Sequence, residues 1–209
     1  AAALLPGSAR AQFPTTPPAP TPITPAAFPP FQQTVLPNGL RVLVVQNRKQ
    51  PVVSLSLSFP AGAVYDPAGR AGLADMVAGL LTKGAGPRSA DEISSAIEGV
   101  GGSISAGAGM DFLTLGADVL ANNAALAFDL LADAAMRPTF PEKELDLLRT
   151  QTLSGLQLER SQPASIASRA MAKGLYGEHP YGRRSDAASV KAITRDDIVQ
   201  FHNSRLRPS

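Results

Sequence analysis

The stretch "PVVSLSLSFPAG" alternates strictly, with Val53, Leu55, Leu57 and Phe59 on one side and Ser54, Ser56 and Ser58 on the other. A period of two marks a strand with one face in a core and the other wet or loosely packed. Just upstream, "TVLPNGLRVLVVQNR" sets Pro37-Asn38-Gly39 between two β-rich runs. Asn-Gly accepts positive φ at low cost, so a hairpin is predicted there, with folded structure beginning near Gln32.

The period then changes. "GLADMVAGLLTKGA" places Leu73, Met76, Val77, Leu80 and Leu81 on one helical face, which predicts a helix over about Arg70 to Lys83, closed by Gly84. Ser89 and Glu92 form a capping box that opens a second helix, ending near Gly99. "GGSISAGAGMDFLTLGADV" returns to strand character and turns near Gly109. Its small residues Ala106, Gly107 and Ala108 predict close approach by another backbone. A helix from about Leu120 to Met136 stops before Pro138, and another starts at Pro141 with Glu142 and Glu144 suited to its dipole. Leu145, Leu148, Thr152 and Leu156 trace the inner face of that helix. "SQPASIASRAMAKGLYG" gives a further helix, and "TRDDIVQFHNSRL" a last one capped by Thr194 with Asp197.

The predicted order is therefore β-β-β-α-α-β-β-α-α-α-α, without an internal repeat. Strands joined by hairpins, in runs that alternate with runs of helices, define an α+β fold: two layers, a largely antiparallel sheet with helices packed on one face.

Composition narrows this picture. The 209 residues suffice for one domain of ordinary size with an appended tail. Hydrophobic residues are 44% but aromatics only 5%, so Ala, Leu and Val must fill the core. A net charge of +2 with scattered basic residues gives no nucleic-acid surface. Without cysteine, disulfides, thiolate metal sites and a cysteine nucleophile are excluded, while the compartment stays open. No run approaches the ~18–20 apolar residues that span a bilayer. Residues 1–12, "AAALLPGSARAQ", resemble the end of a secretory signal, with a short apolar run and the small–x–small triplet Ala9-Arg10-Ala11 before Gln12; a disordered Ala-rich tail is the alternative. Export, for example to the periplasm, is the expectation. Residues 13–31 are dense in proline and predict an extended linker or spacer arm, with docking onto a partner as its other use. Residues 32–209 then form the folded unit.

Residues able to carry chemistry are few. His179 sits in the turn-rich "GEHPYGRR" and His202 on the last helix. Neither has a carboxylate at i+3 or i+4, so one turn histidine and one surface histidine are expected. A zinc site needs three protein ligands and a place for water, which this chain supplies only by combining distant elements. No Gly-x-Ser-x-Gly elbow occurs, and "GGSISAG" lacks the lysine of a phosphate loop. Glu142, Glu144 and Asp146 read as a solvated helix start rather than an acid–base pair. From these residues alone no active site is visible.

Several strings, taken in order, carry a resemblance: "TVLPNGLRVLVV", "PAGAVYDPAGRAGLA", "LLTKGA", "FPEKELDLLR", "HPYGR" and "ITRDDIVQFH". From about Val35 to Ser209 the chain resembles the insulinase-like (pitrilysin, M16) peptidase family, and looks like the first of its two half-domains, ending where a second would begin. In active members the corresponding helix carries His-x-x-Glu-His, whose histidines bind zinc while the glutamate acts as general base on the bound water. The resemblance puts Asp75 at the first histidine, Ala78 at the glutamate and Gly79 at the second histidine. A later helix would place Gly155, with Ser154 as the alternative, at the third ligand.

The resemblance therefore implies the family's fold and denies this chain an independent activity: no catalytic residue and no metal ligand set, with zinc expected in a partner. Bacterial members resemble such a case when they pair a zinc-bearing subunit with a silent one that helps enclose the chamber and contacts substrate. A His-x-x-Glu-His paralogue and a peptide are the implied partners, with neither nucleic acid nor a membrane span. A structural or binding protein unrelated to proteolysis, as in the respiratory core proteins, and an active zinc endopeptidase with unmatched ligands are the alternatives.

Overall fold

The computed structural model describes residues 29–207. The signal-like segment 1–12 and most of the proline-rich segment 13–31 lie outside the described residues. Phe31, the last residue of that segment, opens the first strand.

Strands β1 (Phe31–Val35) and β2 (Arg41–Val45) form the predicted antiparallel hairpin, with Gly39 at φ 88° in its turn. They make a separate two-stranded sheet. The main sheet is built from β3 (Val52–Phe59), β6 (Ser103–Ala108) and β7 (Leu113–Leu120), all antiparallel, in the order β3-β7-β6. The central strand β7 pairs Leu115 with both Leu57 and Ala106. Leu113, Leu115, Ala117 and Val119 are buried along it, every second residue, and Val53, Leu55, Leu57 and Phe59 pack against the same core. Each such leucine withdrawn from water contributes about 2 kcal/mol before chain entropy is counted.

Helices α1 (Leu73–Leu80), α2 (Ala90–Glu98) and α3 (Ala124–Met136) pack on this sheet, α1 over β6 and β7, α2 over β6, and α3 over β7 and β3. Helices α4 (Glu142–Glu159), α5 (Pro163–Tyr176), α6 (Ala187–Ala192) and α7 (Arg195–Arg205) follow, α4 and α7 against α1. The architecture is the two-layer α+β arrangement expected. Several small elements escaped the sequence pattern, among them a two-residue ladder, β4 (Gly84–Ala85) with β5 (Arg88–Ser89), and α6. Both are too short to show a period. The capping boxes at Ser89 and Thr194 form as predicted, and Asp186 with Ser189 makes a third on α6.

Helix α1 is shorter than the expected Arg70–Lys83. Gly72 has φ 98°, which no helix contains, so the helix begins after it. At the other end, the Leu81 and Lys83 N–H groups bond the carbonyls of Ala78 and Leu80, three residues back, and the chain tightens into turns before β4. The expected close approach at Ala106–Ala108 also moves. A Cβ on Gly107 would meet nothing within 4 Å, whereas one on Gly62 would lie 2.4 Å from the Met110 carbonyl oxygen. There the Gly62, Ala63 and Val64 N–H groups donate to the Asp111, Gly109 and Met110 carbonyls, clasping the turn before α1 to the β6–β7 turn.

Candidate functional site

Helix α1 has no side-chain cap of its own. Asp66, six residues before Gly72, reaches over instead: its carboxylate accepts from the Gly72 N–H at 2.7 Å and the Ala74 N–H at 2.9 Å. It therefore satisfies backbone donors that the first helical turn leaves open. Burial pushes the Asp66 carboxyl up to about 6, opposed by these two backbone bonds and assisted by the nearby charge of Asp75. Neighbouring elements hold the same turn. Arg183 donates from Nη1 to the Asp66 carbonyl at 3.3 Å, Arg70 pairs with Asp197 of α7 at 2.9 Å, and Arg205 lies over the Tyr65 ring.

Beside this turn lies an open cleft of about 270 Å³, walled by the head of α1 (Ala71, Gly72, Asp75), the end of β6 (Ala108 to Met110) and the segment from Arg183 to Ser185. Asp75 is exposed, yet protein atoms around its carboxyl displace enough water to hold its pKa above the ordinary carboxylate value. It has no hydrogen-bond or ion-pair partner among the described residues. Next to the cleft, the Tyr181 hydroxyl donates to Asp111 at 2.6 Å, which raises the pKa of that phenol.

The residues matched to the zinc motif do not converge on a common point that a metal would find. Ala78 is 2% exposed and part of the core. Gly79 faces α4, where a Cβ would meet Leu148 Cδ2 at 2.9 Å. Gly155 is exposed with nothing within 4 Å of an added Cβ, and Ser154 donates its hydroxyl to the Thr150 carbonyl of its own helix. Of these, Asp75 alone lines the cleft. Among the described residues no three His, Cys, Asp or Glu side chains group as a metal site requires. The donor set does not fit zinc.

The histidines divide. His179 is exposed, and its Nδ1 accepts the Tyr181 N–H at the start of a short 3₁₀ turn, as expected of a turn histidine. His202, expected on the surface, is 7% exposed. Its Nε2 lies 2.9 Å from the Ala135 carbonyl and its ring sits edge-on to Phe140. Periodicity missed this because α7 is bracketed by charged residues that mask its buried side. Glu142 and Asp146 are exposed as predicted, Asp146 pairing with Arg149. The carboxylate that sequence reasoning missed is Asp66, and the Asp-Pro-x-Gly turn before α1 was its only signal.

The fold is a two-layer α+β unit whose helix α1 is packed into the core, with Ala78 and Gly79 offering no side-chain ligand atom. The family model for "Insulinase (Peptidase family M16)" matches residues 41–185, and the chain belongs to that family. An uncharacterized zinc protease of Mycobacterium bovis is 30% identical over 190 residues, 90% of this chain and 43% of the relative. A probable mitochondrial-processing peptidase subunit beta of Arabidopsis thaliana is 28% identical over 170 residues, 80% of this chain and 32% of the relative. Among solved structures, a peptidase M16 inactive domain from Pseudomonas fluorescens superposes with TM-score 0.77 at 29% identity, covering 82% of this chain and 42% of that one. The chain thus spans less than half the length of these relatives. Among the described residues no helix is long and apolar enough to cross a membrane.

Proposed function

We propose that the chain serves as a non-catalytic subunit of a family M16 peptidase, pairing with a zinc-bearing partner to enclose and bind peptides. The observation that supports this most is the state of α1. Its apolar face is retained in full, with Leu73, Met76, Val77, Leu80 and Leu81 each at 2% exposure or less, while Asp75, Ala78 and Gly79 leave the motif without a base or a ligand set. A helix under pressure only to pack would keep this pattern, and one under pressure to cut peptides would not. The similar Pseudomonas fluorescens structure is itself a peptidase M16 inactive domain, which agrees with this reading.

Peptide binding has a surface to use. Strand β6 ends the main sheet and pairs only with β7 among the described residues. Its outward residues Ser103, Ser105 and Gly107 are exposed and small. An extended peptide adds to such an edge through main-chain hydrogen bonds, without needing a particular sequence. In the same reading the protein is exported, on the strength of the Ala9-Arg10-Ala11 triplet.

The test is co-expression with a paralogue that carries His-x-x-Glu-His. Co-purification, and a rise in peptidase activity over the paralogue alone, is the expected result. A paralogue that never associates and is fully active by itself removes the proposal, and stoichiometric zinc supporting cleavage by this chain alone replaces it with an active enzyme.

A further inference from the structure

We infer that the cleft at the end of β6 receives the α-ammonium group of a peptide lying antiparallel on that edge, with Asp75 as its counter-charge. This rests on the reading of β6 as a peptide-binding edge and adds which part of the peptide is recognised.

Direction decides the first step. β6 runs from Ser103 to Ala108, and Ala108, Gly109 and Met110 form a wall of the cleft. A strand added antiparallel therefore runs from the Ala108 end toward Ser103, and its first residue lies beside the cleft. Antiparallel addition is the slightly more stable pairing per residue. At that end of the edge stands the backbone clasp between residues 62–64 and 109–111. The ladder has no further strand residues to offer there, so a chain terminus suits the position.

Charge decides the second. Asp75 is exposed, lines the cleft and has no partner among the described residues. Asp66 lies deeper, its oxygens occupied by the Gly72 and Ala74 N–H groups, and adds negative potential without offering a free ligand atom. A metal ion lacks ligands here. An ammonium group needs only one carboxylate, since its remaining donors reach water or carbonyls. Arg183 and Arg184 line the same cleft, but neither comes within ion-pair distance of Asp75. Arg183 bonds the Asp66 carbonyl and Arg184 only the Met110 sulfur, at 3.8 Å. Opposite charges held apart in one cleft match a peptide amino terminus, whose ammonium faces a carboxylate and whose first carbonyl oxygen faces a guanidinium.

The experiment titrates the purified protein with three fluorescent peptides of one uncharged, β-prone sequence, all amidated at the C-terminus. One has a free amino terminus, one is N-acetylated, and one has a free amino terminus with alternate backbone nitrogens methylated. The free peptide should bind about tenfold more tightly than the acetylated one, the worth of one charge-assisted contact. Asp75→Asn, at an exposed position, should abolish that preference, so that it binds the free and acetylated peptides equally. Equal binding of free and acetylated peptides, or a preference that survives Asp75→Asn, overturns the inference while β6 remains a peptide edge. Undiminished binding of the methylated peptide, or no binding of any peptide, removes the β6 edge and this inference together.

Discussion

Asp133 and Asp66 are equally buried, each at 5% exposure, and the chain treats them in opposite ways. Asp133, on α3, is enclosed by cations: Arg88 Nη1 lies 2.7 Å from one oxygen, and Arg137, one helical turn on, pairs with the other. Asp66 has no cation on its carboxylate and is held by two backbone N–H groups at the head of α1. A buried carboxylate with guanidinium partners locks its surroundings, here α3 to the β4–β5 ladder. One with only amide partners is compensated less fully, and the Asp66 pKa rises accordingly. The first device belongs to the scaffold. The second stands beside the cleft, in the part of the molecule read as binding peptide.

The largest expected effect comes from breaking the scaffold pair. Asp133→Ala removes a buried carboxylate from a half-exposed and a mostly exposed guanidinium, Arg88 and Arg137, and should lower unfolding free energy by roughly 2–3 kcal/mol in urea titration. Gly86→Ala attacks the same corner from the backbone. Gly86 has φ 54°, and a Cβ there would lie 2.7 Å from an Asp133 oxygen, so a loss of about 2 kcal/mol is expected.

At the other carboxylate the sign is set by pH. The Asp66 carboxyl titrates at about 6 in the fold and at the ordinary aspartate value of 3.8 when unfolded. Its neutral form is therefore favoured by folding. The contribution is fully present below the unfolded value and is lost as pH rises through about 6. Asp66→Asn removes the charge but keeps an oxygen for only one of the two α1 N–H groups, its NH2 facing the other. Whatever that costs, its stability relative to wild type should rise by roughly 1–2 kcal/mol between pH 4 and pH 7.5 in parallel melts. Asp66→Ala removes the acceptor as well and should lose about 1 kcal/mol at pH 5. The smallest effect is expected at Gly79→Ala. The new methyl presses a flexible Leu148 methyl at 2.9 Å while helix propensity improves, so the change should stay within about 1 kcal/mol in the same urea titration.

Much of the fold was legible locally. The alternation at Val53–Phe59, the Asn38-Gly39 turn, the capping boxes at Ser89 and Thr194 and the inner face of α4 each follow from a few consecutive residues, because the forces involved act within a turn or a strand. The errors share a different origin. His202 looked like a surface residue because nothing near it in sequence names Ala135 or Phe140, its partners in the fold. The close approach was placed at Gly107 rather than Gly62 because small residues mark open space and contact alike. Asp66 went unread because its partners are backbone donors on the next element, and Asp75 acquired its cleft only when β6 and the Arg183–Ser185 segment came beside it.

By itself, then, the sequence determined the order and kind of the main elements, the helix caps and the absence of ligand atoms at Ala78 and Gly79. These depend on side-chain identity and short-range periodicity. Only the tertiary structure decided which carboxylate has a cation beside it, which histidine is buried, and that the end of β6 opens onto Asp75. Those outcomes depend on burial and on charges brought together across more than a hundred residues, as between Arg70 and Asp197, where desolvation and Coulomb interaction are set by neighbours that no local pattern encodes.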